Sequence, residues 1–291
     1  LRISIVELYD LLMQTSSKSD RVSHMKTIVT HSGGFHTDDV FAVAALQIVH
    51  GKENVSVTRT RDDNVIAAGD IVVDVGGEYN HDKQRYDHHQ GDAPVRDNGI
   101  PYAAIGLVWR HYGEEICGSQ KIADAIDSHL IQPIDAGDNG VSLYTKNVAD
   151  VSPFELYNII NTFRSINNES DKMDKGFLAA VDFARGLLER TIAHTKEHFR
   201  KDELVQEVYE ATEDKTVLVF DEQVDRHAAI QFPEPLAIVY PSEDVEKGEV
   251  WKVGVVPTGK AVFEDRAKFP KEWAGLRDEE LAKVSGIPDA I

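Results

Sequence analysis

Residues 25–47 read MKTIVTHSGGFHTDDVFAVAALQ, an apolar β-branched run that gives way, through a double-glycine turn, to an apolar helical pattern. A strand passing directly into a helix is the opening of a βαβ unit, and here the junction carries His31, His36, Asp38 and Asp39. Polar groups beyond the carboxyl end of a parallel strand lie where α/β proteins bind ligands. Thr37, Asp38 or Asp39 can each cap the helix, but capping needs no flanking pair of histidines. Neutral imidazole with carboxylate is the donor set that suits Mn, Fe or Zn.

Outward from this junction the alternation continues. NVSVTRT and GDIVVDVGG read as further strands, and YAAIGLVWRHYG, QKIADAIDSHLIQPIDAGDNG and PFELYNIINTFRSI as helices. A long helical pattern from KGFLAAVDF to VQEVYE follows, after which KTVLVF, LAIVYP and WKVGVVP return to strand-like runs divided by turn residues. The expected fold is α/β: an N-terminal, doubly wound, mostly parallel sheet with a second, smaller α+β domain. The expected division is an N-terminal extension over residues 1–24 to which no chemistry is assigned, a first domain over 25–165 that carries the junction's candidate metal-binding residues, connecting helices over 166–210 and a smaller α+β domain over 211–291.

The 42% apolar content suits a chain that buries real cores, and the net charge of -19 argues against bulk electrostatic binding of nucleic acid. No apolar run reaches the roughly 20 residues of a bilayer span, so a cytoplasmic protein with no membrane partner is expected. If the source is eukaryotic, a nuclear or mitochondrial address is an alternative. Cys117 is the single cysteine, which leaves no disulfide framework and no cysteine-based zinc site. The chain has no G-x-S-x-G elbow, and SGG lacks the Gly-Lys-Ser/Thr ending of a P-loop.

Three more polar clusters map to strand or helix ends: Asp74 closing DIVVDV, the run RYDHHQ with Asp87, His88 and His89, and PIDAGDNG with Asp135 and Asp138. A carboxylate leaving a buried central strand needs a partner, which distinguishes Asp74 from a solvent-facing strand end. Adjacent histidines in a strand-like segment point to opposite faces, so one can meet a metal and the other a phosphate. Asp135 and Asp138 are three apart on one helical face, compatible with a ligand and its supporting group or with a plain polar helix end.

In order, THSGGFHTDD, RTRD, DIVVDVGGEY, RYDHHQ and DAGDNG resemble the motifs of the DHH phosphoesterase superfamily, and more closely those of the melanocyte proliferating gene one (Myg) family. FEDRAKFPKEWAGLRDEELAKVSGIP adds a second signature, and the resemblance spans about residues 25–291, weaker between 150 and 235. It implies a DHH-type domain that hydrolyses phosphate esters with two divalent ions, Mn2+ or Mg2+, and a 3′ to 5′ exonuclease acting on single-stranded RNA. On the matching positions it implies His31, His36, Asp38, Asp74, His88 and Asp138 as metal ligands, with Asp74 bridging. It likewise implies that His89 faces phosphate and that Asp87 supports it. Two departures from the pattern are expected: His36 stands where many superfamily members have Asp, and the resemblance implies a further C-terminal segment after GIPDAI that this sequence does not include.

Arg59, Arg61, Lys83 and Arg85 are candidate phosphate contacts in the first domain, since guanidinium forks match phosphate oxygens; surface ion pairing is the alternative for the first two. In the second domain Arg226, Lys252 and Arg266 are the candidates, and Trp251 and Trp273 are either core or base-stacking residues. Two rival functions stand beside the exonuclease: a small-nucleotide or pyrophosphate-type phosphohydrolase, and a non-catalytic metal- or RNA-binding protein on the same fold. A homodimer is left open.

Overall fold

The structure is a computed structural model that describes residues 25–145, 148, 151–246, 248–259 and 264–291; the expected extension 1–24 lies outside the described residues. The chain divides into two compact units between Thr195 and Lys196.

The first unit is built on a five-stranded sheet of order β2-β1-β3-β5-β4. Its strands are β1 (Lys26–Thr30), β2 (Val55–Arg59), β3 (Ile71–Val73), β4 (Tyr79–Asn80) and β5 (Arg85–Tyr86). The first three and β5 run parallel, and β4 returns antiparallel to β5 with Tyr79 opposite Tyr86. Parallelism is the property that positions the site, because it brings the carboxyl ends of β1, β3 and β5 to one edge. Helix α1 (Thr37–His50) is buried along Thr37–Gln47, which explains why its sequence is apolar on all sides. Gly51, at φ 81°, ends it in a conformation that favours glycine.

Two features of this sheet's surroundings depart from the sequence pattern. A short helix α2 (Asp63–Ala68) precedes β3, started by Asp62, whose side chain accepts from the backbone N–H of Asn64 and Val65. The strand-like reading of RYDHHQ also stops early: β5 ends at Tyr86, and Asp87–His89 form the turn beyond it.

Helix α3 (Ala104–Cys117) packs on α1. The next stretch, expected as one helix, is helix α4 (Gln120–Ile126), a π turn (Asp127–Ile131) and helix α5 (Gln132–Asp138). Pro133 accounts for the interruption, since it lacks an N–H and its ring clashes with the carbonyl four residues back. Helix α6 (Leu156–Asn161) and the 42-residue helix α7 (Ser170–Ala211) follow. Met173, Phe177, Ala180, Val181, Ala184, Leu188 and Ile192 of α7 recur at helical spacing in the first core. Each of the larger ones contributes about 1.5–3 kcal/mol by burial.

The second unit carries a three-stranded sheet of β6 (Val217–Val219), β7 (Ala237–Asp244) and β8 (Gly248–Val255), ordered as numbered. β6 and β7 are parallel, and β7 and β8 antiparallel. Its core gathers Leu218, Phe220, Ile238 and Val256 around Val205. The short helix α8 (Asp278–Ser285) ends at Gly286 in the left-handed region.

Candidate metal centre

The edge formed by β1, β3 and β5 collects the histidines and aspartates of four separate sequence clusters. His31 follows β1 and is buried, with Nε2 3.1 Å from Asp39 Oδ2 and 3.2 Å from Asp74 Oδ2. Asp74 follows β3 with φ 56°, a left-handed conformation that Asp tolerates better than most side chains, and its N–H donates to Tyr86 O at 3.1 Å. That turn aims the carboxylate back across the edge. Its second oxygen, Oδ1, lies 3.3 Å from His88 Nε2 and 3.6 Å from His89 Nδ1. Asp138, at the end of α5, brings Oδ2 to 3.2 Å from His88 Nε2 and Oδ1 to 3.8 Å from His36 Nδ1. Asp38 is fully buried, 3.7 Å from His88 Nε2, and also accepts from Ala104 N–H at the start of α3.

The six expected ligands therefore converge. Three overlapping groups, His31/His36/Asp74, Asp74/His88/His89 and His36/Asp38/Asp138, each bring candidate ligand atoms within 4.8 Å of one another. Asp39 joins them beside His31, which the capping interpretation of the Asp38–Asp39 doublet obscured. It does both jobs: Oδ1 accepts the N–H of His36, the residue that starts α1, while Oδ2 faces His31. Thr37, the other expected cap, has its hydroxyl buried without a hydrogen-bond partner.

The donor set fits a divalent cation. Four carboxylates crowd two buried imidazoles, and Asp38 Oδ1, Asp74 Oδ1 and His88 Nε2 are buried with no hydrogen-bond partner. Asp74 Oδ1 and His88 Nε2 are thus near neighbours that do not satisfy each other, as ligands arranged around a common ion are. Electrostatics agree. Burial, Asp74 and Asp138 push the Asp38 carboxyl well above its usual range, and burial raises Asp39. Burial also acts to raise Asp74, but His31 and His88 overcome it and hold that carboxyl low. The two histidines respond in kind: burial opposes their protonation, yet the carboxylates push both up to about 10. Histidine and carboxylate ligation with oxygen in excess suits Mn or Mg better than a thiol-preferring ion.

His88 and His89 do not point to opposite faces, because they lie beyond the strand. Their ring centroids are 4.4 Å apart and both turn toward Asp74. Asp87 imposes this. Its Oδ1 accepts from His88 N–H at 2.8 Å, His89 N–H at 3.2 Å and His89 Nδ1 at 2.7 Å, and its Oδ2 from Gly77 N–H at 2.5 Å. Asp87 positions the turn, and the His89 side chain, 63% exposed, keeps Nε2 for another partner.

The cationic candidates divide sharply. Arg59 is turned inward, donating to Asp174 at 2.7 Å and to Gly33 O at 2.6 Å, with its guanidinium beside the rings of Phe35 and Phe177. It braces the glycine turn, as does Arg164, which donates to Phe35 O. Arg85 spends its guanidinium on the carbonyls of Ala67, Gly69 and Lys83. Arg61 alone of these arginines is exposed beside the cluster, with Nη2 3.3 Å from His31 Nδ1. Lys83 is exposed and pairs with Glu78. Within the second unit Arg266 is held by the carbonyls of Ile230, Phe232 and Pro235, and Arg226 by Val255 O and Asp265. Lys252 is exposed on β8 beside Trp251, itself 57% exposed, whereas Trp273 stacks on Phe269.

Among the described residues no helix is long and apolar enough to cross a membrane. Asp135, expected beside Asp138, is buried elsewhere, against Arg96 at 2.6 Å, and burial raises its carboxyl to about 7 although Arg96 opposes this.

Residues 27–291 match the profile of MYG1_exonuc, described as an uncharacterised protein family (UPF0160). The chain is 29% identical over 303 residues to the MYG1 exonuclease of Homo sapiens, covering 91% of this chain and 78% of that protein. It is 30% identical over 304 residues to a MYG1 protein of Caenorhabditis elegans, covering 91% and 87%. A MYG1 protein of Chlamydia muridarum is 30% identical over 277 residues, covering 91% and 88%. No solved structure matches the chain.

Proposed function

The chain belongs to the MYG1 exonuclease family, and on that premise we propose that it is a divalent-metal-dependent phosphodiesterase of the DHH type, a 3′ to 5′ exonuclease acting on single-stranded RNA. The observation that carries this is Asp74, whose two carboxylate oxygens face two different histidine clusters, His31 on one side and His88 with His89 on the other. A carboxylate so placed would offer one oxygen to each side of a divalent-metal site.

His31, His36, Asp38, Asp74, His88 and Asp138 would hold two ions, Mn2+ or Mg2+. Bound there, such ions act as Lewis acids toward phosphoryl oxygens and make water nucleophilic at neutral pH. The chain's own residues do the rest. Asp87 takes the Nδ1 proton of His89 in a hydrogen bond, leaving Nε2 to meet a phosphate oxygen. Arg61, exposed next to His31, offers a fork to the same phosphate. Attack of water on phosphorus breaks the P–O3′ bond, leaving a shortened chain with a 3′-hydroxyl and a released 5′-nucleotide.

A smaller phosphate substrate is the second reading. It is favoured by the inward-turned Arg59, Arg85 and Arg266 together with the net charge of -19, which leave few cations to track a polynucleotide.

The test is to incubate the protein, across Mn2+ and Mg2+ concentrations, with 5′-labelled single-stranded RNA, single-stranded DNA, dinucleotides and pyrophosphate. A metal-dependent RNA ladder that shortens from the 3′ end and vanishes in Asp74→Asn is expected. Turnover confined to the small compounds selects the second reading, and stoichiometric metal without turnover of any phosphate compound overturns both.

A further inference from the structure

The π turn Asp127–Ile131 lies seven residues or more before Asp138, and its two sides are tied to one side chain. Arg96 donates through Nη2 to Asp127 Oδ1 at 2.9 Å and through Nη1 to Asp135 Oδ2 at 2.6 Å. Its side chain is only 7% exposed and sits over the Tyr102 ring, with Cζ 3.9 Å from the centroid. The loop that delivers it is itself closed: Arg96 N–H donates to Ile100 O, and Gly99 N–H to Arg96 O. Gln132 Nε2 adds a second donor to Asp127 at 2.7 Å.

Asp135 is anchored from its other oxygen as well, by Gly106 N–H at 3.1 Å in the first turn of α3. A Cβ at Gly106 would stand 1.9 Å from Asp135 Oδ2, so only glycine permits this approach. The same helix start donates Ala104 N–H to Asp38. α5 therefore hangs from a fixed carboxylate, and Asp138 projects one turn further on toward His88.

A π turn contains one residue more than the α turn it replaces, and one residue is about 100° of helical rotation. Whether the turn stays wound decides the direction in which Asp138 points. We infer that Arg96 is a positioning residue for the candidate metal centre, clamping Asp127, the first residue of the π turn, to Asp135 beyond its end so that Asp138 faces His88 and His36. The inference rests on the metal-centre reading for its consequence, but its geometry is measurable without metal.

Three variants test it: Arg96→Lys, which keeps the charge but loses the fork; Asp127→Asn, which takes the charge from one arm of the clamp, sets an amide NH2 against the Gln132 donor and leaves Asp135 paired; and Ile126→Val, a buried control on α4 whose side chain takes no part in the clamp. In the metal-free protein, the ring resonances of His88 and His36 move in Arg96→Lys and Asp127→Asn and stay in place in Ile126→Val. Calorimetric Mn2+ affinity falls about 10- to 100-fold in the first two, the range seen when a group supporting a ligand is lost. Unmoved His88 and His36 resonances in both clamp variants overturn the inference, as do shifts of the same size in Ile126→Val. Resonances that move in both clamp variants while the wild-type protein binds no Mn2+ support the clamp and overturn the proposed function instead.

Discussion

Nε2 of His31 stands 3.2 Å from Oδ2 of Asp74, so a proton on that nitrogen occupies the position from which the imidazole would ligate an ion. His31 and His88 are both pushed up to about 10, burial notwithstanding, by the carboxylates around them. Both are therefore protonated at neutral pH when no metal is bound. Metal binding must displace those protons, so affinity rises with pH, by up to about tenfold per unit for each proton released. Calorimetric titrations in buffers of different ionisation enthalpy should report proton release. Stability of the metal-free protein runs the other way. A raised histidine pKa contributes stability that is complete below about 6.5 and is lost as pH climbs through about 10, so thermal unfolding in chelator should fall across that window.

Asp74→Asn should fold, because Asn tolerates the left-handed φ of 56° as well as Asp does. It should lose metal affinity by more than about 100-fold, since even groups that only support a ligand cost up to that much. Asp74→Val adds about 1–2 kcal/mol of backbone strain to the same loss. Far-UV dichroism with metal analysis separates the two effects.

His36 is the half-exposed member of the cluster, its side chain 51% accessible, and its replacement by Asp leaves a ligand in place while adding a negative charge. Oxygen donors favour harder ions. His36→Asp should shift preference from Mn2+ toward Mg2+, read as the ratio of activities at saturating concentrations of each.

Arg59 and Arg61 are two residues apart and should fail in different ways. Arg59→Ala removes the brace on Gly33 and the contacts with Asp174, Phe35 and Phe177, a loss of about 2–4 kcal/mol in thermal or denaturant unfolding. Arg61→Ala should leave stability within about 0.5 kcal/mol and raise KM for the phosphate substrate.

Much of this site was legible because parallel strands dispose their carboxyl ends on one edge, so His31, Asp74 and the Asp87–His89 turn had to meet once βαβ alternation was recognised. The side on which an arginine spends its donors was not legible. Arg59 and Arg61 belong to one motif, yet Phe35 and Phe177 draw one inward, and that pairing joins the loop after β1 to α7, far along the chain. Nor was the π turn, although Pro133 inside an apparently continuous helix was its signal. His88 and His89 were misread because period-two alternation holds only while the strand lasts, and β5 ends at Tyr86.

The saturation of Asp87 has a consequence for mutational tolerance. Four donors converge on its two oxygens, three of them on Oδ1 and one, Gly77 N–H, on Oδ2. An asparagine there must present an NH2 either to the Gly77 amide or to the histidine turn, setting donor against donor, and a glutamate is one methylene too long to face both. The neighbouring histidines can be exchanged for other ligands with graded loss. Position 87 admits no such gradation, and a library randomised at that codon and selected for function should return aspartate alone.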